Sequence, residues 1–302
     1  MKRRGSLDFE VLSDRTEIVK TEKTYPLEQH LQTNVENVVM CEEVARGGFA
    51  TVHRANFNSN IVAVKKLLSI RTKNEKDRRK LRKEVSIMCE LKRLGLSNHF
   101  VDLIGYDLNS FSIIMEYMGG GDLYRYLQRT KHTIDLHTKL SWAVELSEAL
   151  HMLHNVGFIH TDLKSLNILL DSSHTKLKIG DLTDVCSIED CKNIVSHGTP
   201  YWMAPEVIRQ ESCNEKSDVF SLGVILWEII TQRKPYEGYN ALEVIELIGN
   251  KNVCKPFRLQ IPDDVDPRYS KIIKMCWLED PSQRSSSEQI WKMLVEIKHN
   301  LK

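Results

Sequence analysis

The apolar pattern of this chain changes period at Gly119-Gly120-Gly121, and that change limits the fold more than any other single feature. Upstream, short runs rich in β-branched residues, Val38-Val39-Met40, Thr51-Val52-His53 and Ile61-Val62-Ala63-Val64, are separated by Gly-Gly and Asn-Ser-Asn breaks. That is the pattern of an antiparallel meander. Between Arg71 and Leu94 the period becomes helical, with Leu81, Val85, Met88 and Leu91 on one face. Ser112 to Tyr117 reads as a further buried strand. Beyond the glycines, Leu140, Ala143, Val144, Ser147, Leu150 and Leu153 trace a long helix that stops near Gly157. More helices are expected at about 218–231, 241–249, 268–277 and 287–299. The predicted fold class is α+β and two-lobed: a small, mostly antiparallel β lobe with one helix, a glycine hinge, and a larger, mainly helical lobe.

A chain of 302 residues, 41% of them hydrophobic, can bury a core of that size. A formal net charge of +1 with 27% charged residues gives no global pull toward nucleic acid or membrane, and neither is expected as a partner. Seven cysteines (41, 89, 186, 191, 213, 254 and 276) are scattered, with no C-x-x-C pair. They suggest neither a disulfide framework nor zinc, and read as thiols of a reducing, cytoplasmic compartment. The basic start, Met1-Lys2-Arg3-Arg4-Gly5-Ser6, has no apolar stretch behind it and makes no signal peptide. The longest apolar segment, Val219 to Ile230, is interrupted by Ser221, Gly223 and Glu228 and is too short to span a bilayer. A soluble, intracellular protein is expected.

Residues 1–36 are polar and aperiodic, as in a mobile or loosely docked extension. The lobes are expected at 37–118 and 119–302, with 37–299 forming one domain. Arg3-Arg4-Gly5-Ser6 has the spacing of a phosphorylation site, with a solvated tail as the default reading. Arg78-Arg79-Lys80-Leu81-Arg82-Lys83 reads as a solvated helix face, an acidic partner being the alternative. No internal repeat occurs.

The chemistry-bearing residues lie just past the long helix, in His160-Thr161-Asp162-Leu163-Lys164-Ser165-Leu166-Asn167 and Ile179-Gly180-Asp181. A loose phosphoryl-transfer transition state leaves a protein little to do except position groups and stabilise charge. Asp162 can accept a hydrogen bond from an attacking hydroxyl. Asn167 offers a neutral oxygen, and Asp181 an anionic one, to Mg2+ or to Mn2+ in its place. Lys164 adds a point charge for the moving phosphate of ATP. The bland reading is that Asp and Asn sit in these loops to accept local backbone hydrogen bonds.

From about Val38 to Ile297 the order of motifs resembles the eukaryotic protein kinase family. Val44-Ala45-Arg46-Gly47-Gly48-Phe49-Ala50-Thr51-Val52 stands at the glycine-rich nucleotide loop, and Val62-Ala63-Val64-Lys65 looks like the third-strand lysine motif. The resemblance implies that Lys65 holds the α and β phosphates and pairs with Glu84; two surface charges are the alternative. It implies Met115 as gatekeeper, Glu116, Tyr117 and Met118 as the hinge for adenine, and Ala63 and Leu169 on the two faces of the ring. Ordinary core packing would also account for the apolar members.

Gly198-Thr199-Pro200-Tyr201-Trp202-Met203-Ala204-Pro205-Glu206 looks like the protein-substrate platform. By the same resemblance Asp218 caps a buried helix and braces the catalytic loop, and Arg284 pairs with Glu206. Asp162-Leu163-Lys164-Ser165 and Gly198-Thr199-Pro200 resemble serine/threonine kinases. Trp227-Glu228-Ile229 and Cys276-Trp277 through Arg284 resemble the tyrosine-kinase-like branch. Dual specificity stays open. Protein substrates are the implied partners, and no SH2, SH3 or ankyrin-like segment accompanies them. Regulation is left to the extension, the domain itself or proteins that bind in trans.

Several positions depart from the family pattern. Ala45 and Ala50 replace the first and third glycines of the loop, where a β-carbon restricts positive φ and close approach to phosphate, so weaker ATP binding is expected. Thr161 replaces the arginine that commonly receives an activation-segment phosphate, which predicts activity that does not depend strongly on that phosphate; Ser187 and Ser196 are the hydroxyls for its test. Leu182-Thr183 replaces Phe-Gly, with leucine filling the apolar slot and threonine restricting an inactive flip. These departures motivate an alternative, a pseudokinase acting as scaffold or allosteric partner. A small-molecule kinase on a related fold is disfavoured by the segment from Thr199 to Glu206.

Overall fold

The β-branched runs form β1 (Val39–Arg46), β2 (Ala50–Phe57) and β3 (Asn60–Leu67) of the computed structural model, which describes residues 26–300 apart from 73, 131, 192–197, 212 and 253. The Arg3-Arg4-Gly5-Ser6 site and Ser196 lie outside the described residues. β2 and β3 are joined by Asn58-Ser59, both at positive φ (49° and 64°), as a two-residue hairpin of matching twist requires. Helix α1 (Glu75–Arg93) starts at Asn74, whose side chain accepts the Lys76 N–H, and it buries Leu81, Val85, Met88 and Leu91 as predicted. β4 (Leu103–Asp107) and β5 (Ser112–Glu116) complete an antiparallel sheet in the order β1-β2-β3-β5-β4.

Residues read from sequence as the end of an extension lie along β4. The Thr33 N–H donates to the Tyr106 carbonyl at 2.9 Å, and the Tyr106 hydroxyl donates to the Glu28 carbonyl at 3.3 Å. The Val35 N–H reaches the Asp107 carboxylate at 3.3 Å.

At the glycine triplet the chain packs closely against the second lobe. A β-carbon on Gly119 would stand 2.2 Å from the Ser172 hydroxyl, and one on Gly120 2.3 Å from the Asp171 carbonyl, so only glycine fits. The triplet leads into β6 (Gly121–Asp122), which pairs with β8 (Ile168–Leu170) and through it with β9 (Leu177–Ile179). α2 (Leu123–Arg129) and α3 (Leu136–Asn155) follow, and Gly157 takes φ +87° where α3 stops. β7 (Phe158–Ile159) pairs with β10 (Cys186–Ser187).

The remaining helices are α4 (Ile188–Cys191), α5 (Pro205–Ile208), α6 (Glu215–Thr231), α7 (Ala241–Gly249), α8 (Pro267–Cys276) and α9 (Ser287–His299). α6 carries the longest apolar run, and Val219, Phe220, Leu222, Val224, Ile225 and Leu226 are fully buried. A helix apolar all round must be a core helix. No helix among the described residues is long and apolar enough to cross a membrane. The architecture is the α+β, two-lobed one expected.

Candidate active site

Lys65 leaves the middle of β3, flanked by Val52 on β2 and Ile113 on β5, with its side chain 9% exposed. Its Nζ donates to both Glu84 oxygens (2.7 and 2.9 Å), to Asp181 Oδ1 (2.8 Å) and to the Thr183 hydroxyl (2.8 Å). Glu84 sits on the buried face of α1, three residues past Leu81 and four before Met88. Burial disfavours the Lys65 ammonium, but the Asp181 and Glu84 carboxylates outweigh it and raise its pKa. The ammonium in turn holds the Asp181 carboxyl well below the usual carboxylate range, while burial pushes Glu84 up. The Asp181 side chain is the more open of the two, at 46% exposed against 3%.

The nucleotide-loop residues are placed as a strand, a tight turn and a strand. Val44, Ala45 and Arg46 end β1, and Ala50, Thr51 and Val52 begin β2. The Gly47 N–H closes the turn on the Ala50 carbonyl at 2.9 Å, and Arg71 donates to the Gly48 carbonyl at 3.3 Å. The Phe49 ring centroid lies 6.0 Å from the Lys65 Nζ. None of the residues 44–52 has positive φ, so the φ cost expected for Ala45 and Ala50 does not arise. Across β3 and β5, Met115 pairs with Ala63. Glu116 accepts the Asp102 N–H at 2.9 Å and the Lys178 ammonium, Met118 follows it, and Leu169 lies on β8 opposite Lys178.

Asp162 is gripped on both oxygens, by the Lys164 ammonium and by the Thr199 hydroxyl at 2.9 Å, while Lys164 also donates to Thr199 Oγ1 at 2.8 Å. Asn167 Nδ2 donates to the Asp162 carbonyl at 3.0 Å, and the Gly180 N–H donates to the Asn167 carbonyl at 2.8 Å, which links this loop to Asp181. Beneath it, Asp218 accepts the N–H groups of His160 (2.7 Å) and Thr161 (2.9 Å) and lies 2.9 Å from His154 Nε2. The helix cap expected at Asp218 is instead Asn214, whose side chain accepts the Lys216 N–H; this frees the Asp218 carboxylate, one turn in, to hold the loop. Arg284 pairs with both Glu206 oxygens at 2.7 Å, as predicted.

Sequence reasoning missed three contacts. Thr183 stood out as a departure but not as a partner of Lys65. Thr199 was noted only as part of a motif. Glu228, read as a subgroup mark, accepts from the Ser165 hydroxyl and from Trp202 Nε1, both at 2.8 Å, with no exposure. An acid inside an otherwise apolar run was the signal available for it. A cavity of about 340 Å3 lined by residues including His132, Lys139 and Gln232 lies elsewhere in the helical lobe and contains none of these residues.

Residues 38–294 match the family described as protein tyrosine and serine/threonine kinase. Similar proteins include the serine/threonine-protein kinase CTR1 of Arabidopsis thaliana, 38% identical over 84% of this chain and 31% of that protein. A probable serine/threonine-protein kinase of Dictyostelium discoideum is 33% identical over 87% of this chain and 20% of its own length. The human mitogen-activated protein kinase kinase kinase 7 is 34% identical over 85% of this chain and 41% of its own. The chain thus spans less than half the length of these relatives. By its family match, its two-lobed fold and relatives named as serine/threonine kinases, the chain belongs to the protein tyrosine and serine/threonine kinase family, in its tyrosine-kinase-like serine/threonine group.

Proposed function

We propose that this chain is a protein serine/threonine kinase that moves the γ-phosphoryl group of ATP to a serine or threonine hydroxyl of a protein substrate. The observation that carries the reading is the three-way contact of Asp162, Lys164 and Thr199, joined through Asn167 and Gly180 to the Lys65–Glu84–Asp181 cluster.

Kinases of this family use ATP and Mg2+, and the donor set fits both. Glu84 and Asp181 share one ammonium, which leaves net negative charge in the cleft. Among the described residues no group of three or more His, Cys, Asp or Glu could hold a metal alone. Mg2+ does not require such a group, because it is commonly held by one or two protein oxygens together with substrate phosphates. Asn167 spends its amide N–H on the Asp162 carbonyl, so its oxygen is the atom offered; it and Asp181 would hold the ion, with Mn2+ an alternative. Such an ion supplies neutralisation of charge on the phosphate oxygens.

The remaining roles belong to side chains and backbone. Asp162 orients the substrate hydroxyl and accepts its proton. Lys164, already against Asp162, lends positive charge to the transferred group. Lys65 binds the α and β phosphates under the loop from Val44 to Val52, while Ala63, Leu169 and Met115 enclose adenine and the Glu116–Met118 backbone hydrogen-bonds it. Protein substrates, and regulatory proteins acting in trans, are the proposed partners. The free state of all seven cysteines supports a reducing, cytoplasmic setting. No observation favours the scaffold alternative: Thr161 and Thr183 each make hydrogen bonds at the site, and Ala45 and Ala50 sit in strands.

Phosphate incorporation into a generic protein substrate and into the chain itself tests the reading, with phosphoamino-acid analysis separating serine and threonine from tyrosine. Asp162→Asn and Lys65→Met should abolish the signal of the wild type. Equal signals from all three proteins would mean a contaminant or a scaffold.

A further inference from the structure

We propose that Thr183 is a positioning residue for the nucleotide site, its hydroxyl joining the Lys65–Glu84 pair to Asp181 and holding that arrangement closed before nucleotide binds. The inference rests on the kinase reading of the same cleft.

An ammonium has three N–H donors, yet Lys65 Nζ lies 2.7 to 2.9 Å from four acceptor atoms: both Glu84 oxygens, Asp181 Oδ1 and Thr183 Oγ1. The Thr183 hydroxyl accepts from Lys65 and carries one proton of its own. That proton has two carboxylates within reach, Asp181 Oδ1 at 2.7 Å and Glu84 Oε2 at 3.0 Å. Two carboxylates crowding one ammonium repel each other, and a neutral donor between them lowers that repulsion. Because the proton serves one acceptor at a time, an Asp181 that turns away toward a ligand leaves it to Glu84. The Lys65–Glu84 contact then keeps a hydrogen bond when it loses its third partner. Glycine, usual at this position in the family, places no atom here.

The neighbouring residue is tied independently. The Asp184 carbonyl accepts from the Thr161 hydroxyl at 2.9 Å, and its carboxylate lies 3.2 Å from the Lys80 ammonium. Asp181 itself stands at φ +50°, a conformation that persists where its surroundings fix it. The segment from Asp181 to Asp184 is therefore fastened to α1, β3 and the catalytic loop at once.

Three variants separate the hydroxyl from the methyl: Thr183→Val keeps shape and β-branching, Thr183→Ser keeps the hydroxyl, and Thr183→Gly has neither. The readouts are equilibrium binding of a fluorescent ATP analogue in Mg2+ and in EDTA, KM for ATP against kcat, and affinity for an inhibitor class that requires Asp181 swung outward. Thr183→Val and Thr183→Gly should weaken nucleotide binding in both buffers and raise KM about tenfold, the equivalent of about 1.4 kcal/mol for a charge-assisted hydrogen bond. Both should bind the swung-out inhibitor more tightly, and Thr183→Ser should match wild type. Wild-type behaviour of Thr183→Val, or a Thr183→Ser as impaired as Thr183→Val, overturns the proposal. A wild type that binds nucleotide but transfers no phosphate refutes the kinase reading alone, because the binding arms still decide the role of Thr183; one that binds no nucleotide overturns both.

Discussion

The Thr161 hydroxyl donates to the main-chain carbonyl of Asp184 at 2.9 Å, clasping the catalytic loop to the segment that follows Asp181. Thr161 stands at φ +66°, where a β-branched residue costs about 1–3 kcal/mol. Asp218 enforces that conformation by accepting the Thr161 N–H at 2.9 Å. A neutral hydroxyl, fixed by the fold, thus stands where related kinases commonly carry an arginine that must be met by phosphate.

Turnover is accordingly expected without activation-segment phosphorylation. Initial rates should stay within about twofold after phosphatase treatment and in Ser196→Ala, since no charge-assisted contact to Thr161 is lost. Ser187, the other hydroxyl considered from sequence, is 8% exposed and donates to the Asp190 carboxylate at 2.7 Å, so it serves the fold. A collapse in Ser196→Ala that Ser196→Glu rescues would refute the expectation.

Glu228 makes stability depend on pH. Burial raises its pKa from 4.5 to about 8, against the opposing hydrogen bonds from Trp202 and Ser165. The folded state therefore holds this proton more tightly than the unfolded state does. Its stabilising contribution is full below about pH 4.5 and declines as pH rises through about 8. Glu228→Gln keeps the shape, with the amide oxygen accepting from Trp202 and the amide N–H donating to Ser165. Urea midpoints from pH 5.5 to 8.5 should fall less steeply in the variant than in wild type; parallel curves would count against a raised Glu228 pKa.

The helices were legible because their period is local: α7 spans the expected 241–249, and α1, α8 and α9 begin or end within a few residues of the reading. β4 was not legible. Leu103-Ile104-Gly105-Tyr106-Asp107 contains a glycine and ends in aspartate, both disfavoured in strands, and pairing with β5 overrides that preference. At the candidate site, motif spacing singled out Lys65, Glu84, Asp162, Asn167 and Asp181, and the fold links them through hydrogen bonds. The contacts of Thr183 with Glu84, of Thr161 with Asp184 and of Glu228 with Trp202 span 99, 23 and 26 residues. Hydroxyl and carboxylate partners at such separations leave no periodic trace: the Thr183–Glu84 contact exists only once the two lobes have packed, and the other two only once the helical lobe has folded.

Arg284 and Glu206 form an ion pair whose side chains are 0% and 2% exposed. Removing one member strands the other charge in the core, at a cost of about 3–5 kcal/mol. Arg284→Met should therefore unfold at much lower urea than wild type, and adding Glu206→Gln should recover part of the loss. A single variant with the wild-type midpoint would show the pair to be energetically neutral.

Gly105 in β4 decides whether residues 28–33 stay against the sheet. A β-carbon there would lie 3.0 Å from Thr33 Cγ2 and 3.1 Å from the Leu31 carbonyl, so alanine already needs the neighbouring segment to yield by a few tenths of an ångström. Valine needs more space, and overpacking of this kind costs about 1–3 kcal/mol unless the neighbour moves. The neighbour here is held by few bonds, chiefly the Thr33 N–H on the Tyr106 carbonyl and the Tyr106 hydroxyl on the Glu28 carbonyl, so movement is the cheaper outcome. Gly105→Val should speed hydrogen exchange at the Thr33 amide while β5 keeps its protection, with Gly105→Ala intermediate. Unchanged Thr33 protection in Gly105→Val, or equal loss across β4 and β5, would mean that the contact does not govern docking of this segment.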